Sequence, residues 1–99
     1  MTDFETETEE KTDLATPKRY KVFILNDNYT DMNFVIQVLL EIFNKSYEEA
    51  VNIMMIVHKF GSGYVATYAK EIATMKCMET ENAARYYGFP LRTKVEEDD

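Results

Sequence analysis

The sequence predicts a two-layer α/β sandwich of order β-α-α-β-α-β, in which a three-stranded antiparallel sheet packs against three helices. Three observations lead there. An apolar run rich in β-branched and aromatic residues, Tyr20 to Leu25, gives way to polar residues and then to a segment of helical spacing. Two further helical segments follow, the first of them opened by a capping box. Two short stretches of strand composition lie between and after these helices, each set off by glycine or proline.

The chain has 99 residues, of which 45% are hydrophobic, enough for one domain with a modest core. The organisation expected is an acidic tail over 1–17, a folded domain over 18–95 and an acidic end over 96–99. The tail carries six acids (Asp3, Glu5, Glu7, Glu9, Glu10, Asp13) against one base, Lys11. Its only apolar residues are Met1, Phe4, Leu14 and Ala15, too few to offset the entropy of ordering, so disorder is expected. The net charge of −7 belongs to this tail and to Glu96–Asp99, and the middle of the chain is near +2.

Tyr20–Leu25 is the first strand and Asn26–Tyr29 a turn. Thr30 is read as the N-cap of the first helix, with Asp31 in its first turn favoured by the helix dipole. Val35, Val38, Leu39, Ile42 and Phe43 fall at helical spacing, which carries this helix to about Phe43. Asn44-Lys45 breaks it. Ser46 and Glu49 form the capping box of the second helix, whose apolar face is Ala50, Ile53, Met54 and Val57. His58 lies on the apolar side near its end and is expected to be partly buried. Gly61-Ser62-Gly63 closes this helix and opens a second strand, Tyr64–Tyr68. The third helix runs from about Lys70 to Tyr87 with a face of small residues, Ala73, Cys77, Thr80 and Ala84, that suits close packing. Gly88 and Pro90 stop it. Leu91, Thr93 and Val95 alternate with Arg92 and Lys94 as a third, half-exposed strand.

Composition narrows the function. No dense basic stripe exists to neutralise phosphates, so nucleic acid is not an expected partner. No apolar run of about 18 residues suggests a membrane span. The acidic N-terminus lacks the basic and apolar regions of a signal peptide. The single cysteine, Cys77, permits no intramolecular disulfide and fits a reducing cytoplasm. One histidine, one cysteine and no glycine-rich phosphate loop argue against an enzyme, and His58, Asp27 and Cys77 are not at metal-ligand spacing. No cofactor is expected, and nothing demands more than a monomer. What remains is binding. Asn26, Asp27 and Asn28 end a strand with oxygen acceptors, and methionine and valine supply soft apolar surface nearby. Such a pocket suits an apolar group attached to a cation.

Val22–Leu39 (VFILNDNYTDMNFVIQVL) resembles the strand–turn–helix segment of the ClpS adaptor family. Ala50–His58 (AVNIMMIVH) resembles its second helix, Lys70–Lys76 (KEIATMK) its third, and Pro90-Leu91 the start of its last strand. The match runs from roughly Arg19 to Val95. The resemblance implies a non-catalytic adaptor that binds proteins bearing a bulky N-terminal Leu, Phe, Tyr or Trp (an N-degron) and delivers them to a ClpA- or ClpC-type AAA+ unfoldase and its ClpP peptidase. By position, Asn26, Asn28 and His58 would bind the free α-amino group, with Asp27 adding negative potential. Thr30 would shape the rim. Met32, Val35, Met54, Val57 and Leu91 would line the side-chain pocket, with Met32 as a gate against β-branched Ile and Val. Glu71 and Lys76 would dock on the unfoldase N-terminal domain, and the tail would match the arm that engages the unfoldase. The family usually has Asn-Asp-Asp where this chain has Asn26-Asp27-Asn28. A neutral amide in place of a carboxylate weakens a bond to an ammonium by on the order of 1 kcal/mol. The alternative is a module of the same fold that binds a partner domain but no N-terminal residue.

Overall fold

A computed structural model of the chain describes residues Lys18–Asp98. The tail expected to be disordered over 1–17 lies outside the described residues. The elements are β1 (Arg19–Leu25), α1 (Met32–Glu41), α2 (Tyr47–Phe60), β2 (Ser62–Ala69), α3 (Lys70–Tyr86) and β3 (Arg92–Asp98), in the predicted order. They form one three-stranded antiparallel sheet, β2-β1-β3, with β1 in the centre.

Val22 and Ile24 of β1 are fully buried, as the alternation of that strand requires. On β2 the inward face changes parity. Tyr20 pairs with Tyr68 and Val22 with Ala66, but Phe23 then pairs with Tyr64, so Val65 is an extra residue in β2. This bulge turns Val65 and Gly63 into the core, where a regular strand would have pointed them outward. The core is completed by Val35, Val38 and Leu39 of α1, Ala50, Met54 and Val57 of α2, and the small face of α3, with Phe43 and Leu91 from the connections.

Helix boundaries follow their caps, and one differs from expectation. Asp31, not Thr30, is the N-cap of α1: its carboxylate accepts the Asn33 N–H at 2.8 Å. The Thr30 N–H and hydroxyl both donate to Asp27, so the hydroxyl is turned toward Asp27 and caps no helix N–H. The helix also ends two residues early, at Glu41. Asn44 adopts a left-handed φ of 54°, and the Lys45 N–H closes the turn on the Leu39 carbonyl at 2.9 Å. The capping box of α2 is present as expected, with Glu49 N–H donating to Ser46 Oγ and Ser46 N–H to Glu49 Oε1. Gly61 (φ 91°) closes that helix, and Gly88 (φ 82°) follows the end of α3.

The last strand is longer than the expected Leu91–Val95. It starts at Arg92 and continues through Glu96, Glu97 and Asp98, which pair with Lys21, Tyr20 and Arg19. Cross-strand charge compensates the run of acids: Lys18 lies 2.8 Å from Glu97, and Lys21 lies 3.5 Å from Asp98. The other end of β3 is tied to α3, since both the N–H and the hydroxyl of Thr93 donate to Glu81 Oε2 at 2.8 and 2.9 Å.

Candidate functional site

At the C-terminal end of β1 the chain leaves the sheet as Asn26. The Asn26 N–H donates to the carbonyl of Gly61 at 2.9 Å. That bond pins the end of β1 to the end of α2, and so places His58, less than a turn before Gly61, beside the strand end. α1 starts from the same loop. Its first turn contributes Met32 and Val35, while Leu91 arrives from the segment between α3 and β3.

The result is a cleft of about 190 Å³ lined by Leu25, Asn26, Asp27, Asn28, Thr30, Met32, Val35, Met54, Val57, His58 and Leu91. All four residues expected to face an α-amino group, and all six expected to line a side-chain pocket, meet in this one cleft. Leu25 was missed by the sequence reading. As the last residue of β1 it read as sheet, although its place next to Asn26 was the signal that it reaches the mouth.

Burial divides the lining into two zones. Val35, Met54, Val57 and Leu91 are buried and make an apolar floor. Asn26, Asn28 and His58 are exposed, Asp27 and Thr30 are half-buried, and Met32 is 43% exposed. His58 is therefore not the partly buried residue expected; it is the last-turn residue of α2 that reaches the opening. The volume is below the roughly 300–1,000 Å³ of small-molecule sites. It suits one side chain held against the floor with a polar group at the mouth.

Asp27 organises the loop. Its Oδ1 accepts the N–H of Tyr29 at 2.8 Å and of Thr30 at 2.7 Å, and its Oδ2 accepts the Thr30 hydroxyl at 2.7 Å. Burial pushes the Asp27 carboxyl up, but these three donors, the Thr30 hydroxyl foremost, outweigh it and hold the group below its ordinary value. The loop thus keeps one fixed anion near the mouth. Around it stand two amide groups and an imidazole, whose neutral form offers an acceptor nitrogen. Among the described residues, no group of three or more His, Cys, Asp and Glu side chains converges as a metal site would require.

The two residues expected to dock on an unfoldase lie outside the cleft. Glu71 is exposed in the first turn of α3, on a groove it shares with Lys70, Thr74, Met75, Met78, Glu79 and Asn82. Lys76 is only half exposed. Its ammonium donates to the Ile42 carbonyl at 2.6 Å and sits 5.9 and 5.5 Å from the ring centroids of Phe43 and Tyr68. It does not line the Glu71 groove. No helix among the described residues is long and apolar enough to cross a membrane.

Known proteins resemble this chain in sequence and in overall structure. Residues 15–94 match the family model described as ATP-dependent Clp protease adaptor protein ClpS. The chain is 44% identical over 95 residues to the ATP-dependent Clp protease adapter protein ClpS of Wolinella succinogenes, covering 96% of this chain and 93% of that one. It is 50% identical over 80 residues to the protein of the same name from Treponema denticola, covering 81% and 79%. A solved structure, Agrobacterium tumefaciens ClpS2 bound to L-phenylalaninamide, superposes with a TM-score of 0.80 at 39% identity, covering 83% of this chain and 99% of that one. The family model spans most of the chain and the relatives match it over most of their length, and the chain belongs to the ClpS family of ATP-dependent Clp protease adaptor proteins.

Proposed function

We propose that this chain is an adaptor that recognises proteins by a bulky hydrophobic N-terminal residue, Leu, Phe, Tyr or Trp, and delivers them to a ClpA- or ClpC-type AAA+ unfoldase and its ClpP peptidase. It acts in the cytoplasm as a monomer and catalyses nothing itself. The observation that carries this reading is the two-zone cleft: oxygen acceptors and an imidazole over an apolar floor, with room for one side chain. The ligand of the Agrobacterium relative fits the same logic. L-Phenylalaninamide is an N-terminal residue in miniature, with a free α-amine, an apolar ring, and an amide where the next peptide bond would be.

In this reading Asn26, Asn28 and His58 accept from the α-ammonium, and Asp27 supplies the nearest negative charge. Val35, Met54, Val57 and Leu91 hold the side chain, Thr30 shapes the rim and Met32 closes over the opening. An α-amine with an ordinary pKa of about 7.7–8.0 arrives mostly charged near neutrality. Asn28 is the weak point, since it offers the ammonium a neutral oxygen. Delivery requires docking on the unfoldase N-terminal domain, for which Glu71 on the exposed face of α3 is the available contact; Lys76 acts there only indirectly, through the packing it maintains.

Fluorescence anisotropy with three labelled peptides tests the reading: one starting with Phe, the same peptide N-acetylated, and one starting with Ile. Tight binding of the first alone is the expected result. Equal binding of all three would remove it. Failure of all three, together with binding to an unfoldase N-terminal domain, would favour the partner-binding module without N-terminal recognition.

A further inference from the structure

We infer that Asp27 is a positioning residue: it sets the loop that presents Asn26, Asn28 and Thr30, and does not itself receive the ligand. The inference rests on the amine-binding reading above and assigns this carboxylate a different task within it. Both carboxylate oxygens are already in use. Oδ1 accepts two backbone N–H groups, from Tyr29 and Thr30, and Oδ2 accepts the Thr30 hydroxyl, all at 2.7–2.8 Å. These bonds close a turn over Asn28. The carboxylate reaches forward past Asn28, and its neighbour Asn26 is fixed from behind through Gly61.

Asn28 has no hydrogen bond of its own to hold it among those found in the described residues, and its side chain is exposed at the mouth. Its direction is therefore set by the turn on which it sits. The turn is held through Asp27. The same bonds lead into α1. Asp27 turns the Thr30 hydroxyl toward itself, Asp31 is the N-cap that follows, and Met32 opens the helix beside the cleft. One carboxylate thus holds the loop that joins acceptor and gate. A charged group is needed because it accepts three donors at once, two of which, backbone N–H groups, carry no side chain that could be tuned.

Two roles for Asp27 predict different mutant patterns. As a direct electrostatic contact, Asp27→Asn weakens Phe-peptide binding, the loss shrinks in high salt, and Thr30→Val binds as wild type. As a positioning residue, Asp27→Asn and Thr30→Val weaken binding alike, about five- to tenfold for the loss of one such bond. In that case Thr30→Ser restores binding, the double variant is no weaker than Asp27→Asn alone, and the losses persist in high salt. Thr30→Val keeps the shape and charge of the rim, so the mere presence of Thr30 in the lining does not produce its effect. Far-UV circular dichroism of each variant establishes that it is folded.

A readout without ligand separates this inference from the amine-binding reading. In NMR spectra, titrating the Asp27 carboxyl should move the amide protons of Tyr29 and Thr30 together, with a midpoint below that of an ordinary aspartate, and Thr30→Val should raise it. Wild-type protein that binds no peptide yet shows these coupled shifts would overturn the amine-binding reading and leave the positioning of the loop intact. Peptide binding without the coupled shifts, or with Thr30→Val at wild-type affinity, would overturn the positioning role.

Discussion

A methyl group built on Gly63 of β2 would lie 2.7 Å from Cγ2 of Val57 on α2. Val57 is part of the cleft floor, so this close approach of sheet and helix lies directly behind the candidate site. Gly63→Ala must push Val57 or the helix aside, an overpacking change that costs about 1–3 kcal/mol. The expected outcome is a lower urea midpoint and, because Val57 moves into the cleft, weaker Phe-peptide binding. Gly61→Ala is the control for backbone effects: nothing lies within 4 Å, but its φ of 91° penalises a side chain by about 1–2 kcal/mol. A Gly63→Ala protein as stable as wild type would show that the helix yields freely.

Lys76 fastens the end of α1 to α3. Its ammonium holds the Ile42 carbonyl and faces the rings of Phe43 and Tyr68. Lys76→Met keeps the apolar stem while removing the charge and the donors. Stability should fall by about 1–2 kcal/mol. If Lys76 supports docking only through this packing, then Glu71→Lys should weaken binding to an unfoldase N-terminal domain with no change in stability, whereas Lys76→Met changes both. Denaturant titration alongside a binding assay separates the two. Lys76→Met with unchanged stability but lost docking would restore a direct contact.

Much of this was legible in the sequence, for identifiable reasons. The capping box and the helix-ending glycines are local devices read over three or four residues, and they were found where expected. Of the cleft, the strand end itself gave the acceptors Asn26, Asp27 and Asn28 with methionine and valine nearby, while the full lining came from the resemblance to the ClpS family. What was not legible depends on contacts distant in sequence or on competition between equivalent groups. Thr30 and Asp31 are both good N-caps, and in the fold the Thr30 hydroxyl faces Asp27 while Asp31 caps the helix. The bulge at Val65 leaves the composition of β2 unchanged. The acids of 96–98 read as an acidic end outside the domain because Glu97 and Asp98 find their partners, Lys18 and Lys21, at the other end of the domain. The bond of Lys76, which the resemblance assigns to docking, was not legible because its acceptor lies 34 residues away.

Stability should be flat from about pH 5 to about pH 8 and fall on both sides. On the alkaline side, burial raises the thiol of Cys77, with Glu81 adding and Thr93 opposing, and burial likewise raises the phenol of Tyr68. The folded state keeps these protons longer than the unfolded chain does. Their stabilisation is complete below the unfolded values, about 8.5 and 10, and is lost as pH rises through the folded ones. On the acid side Asp27 is held below its ordinary value, so its contribution is complete above about pH 4 and is lost as pH falls through the lower folded value. Urea midpoints across this range check both limbs. Cys77→Ala should shrink the alkaline loss, and an unchanged loss would place its origin elsewhere.

Met32 stands at the mouth with 43% of its surface exposed, above a floor of buried Val35, Met54, Val57 and Leu91. If the cleft takes an N-terminal residue as proposed, a ligand side chain passing Met32 is judged by its width near the backbone. Ile and Val carry two heavy atoms on Cβ, at the depth of the mouth, whereas Leu and Phe branch further along and widen only past it. Truncation by Met32→Ala should therefore admit an Ile-initiated peptide, improving its binding by about tenfold, the range expected when a steric difference of one or two methyl groups is relieved. The Phe peptide should lose a few-fold, because part of the apolar cover over its ring is gone. Met32→Leu, close in volume but branched, should preserve the exclusion. Parallel anisotropy titrations of Phe, Leu, Ile and Val peptides against the three proteins measure this directly. Ile binding that stays weak in Met32→Ala would move the discrimination from the mouth to the floor, with Val35 and Val57 the next positions to truncate.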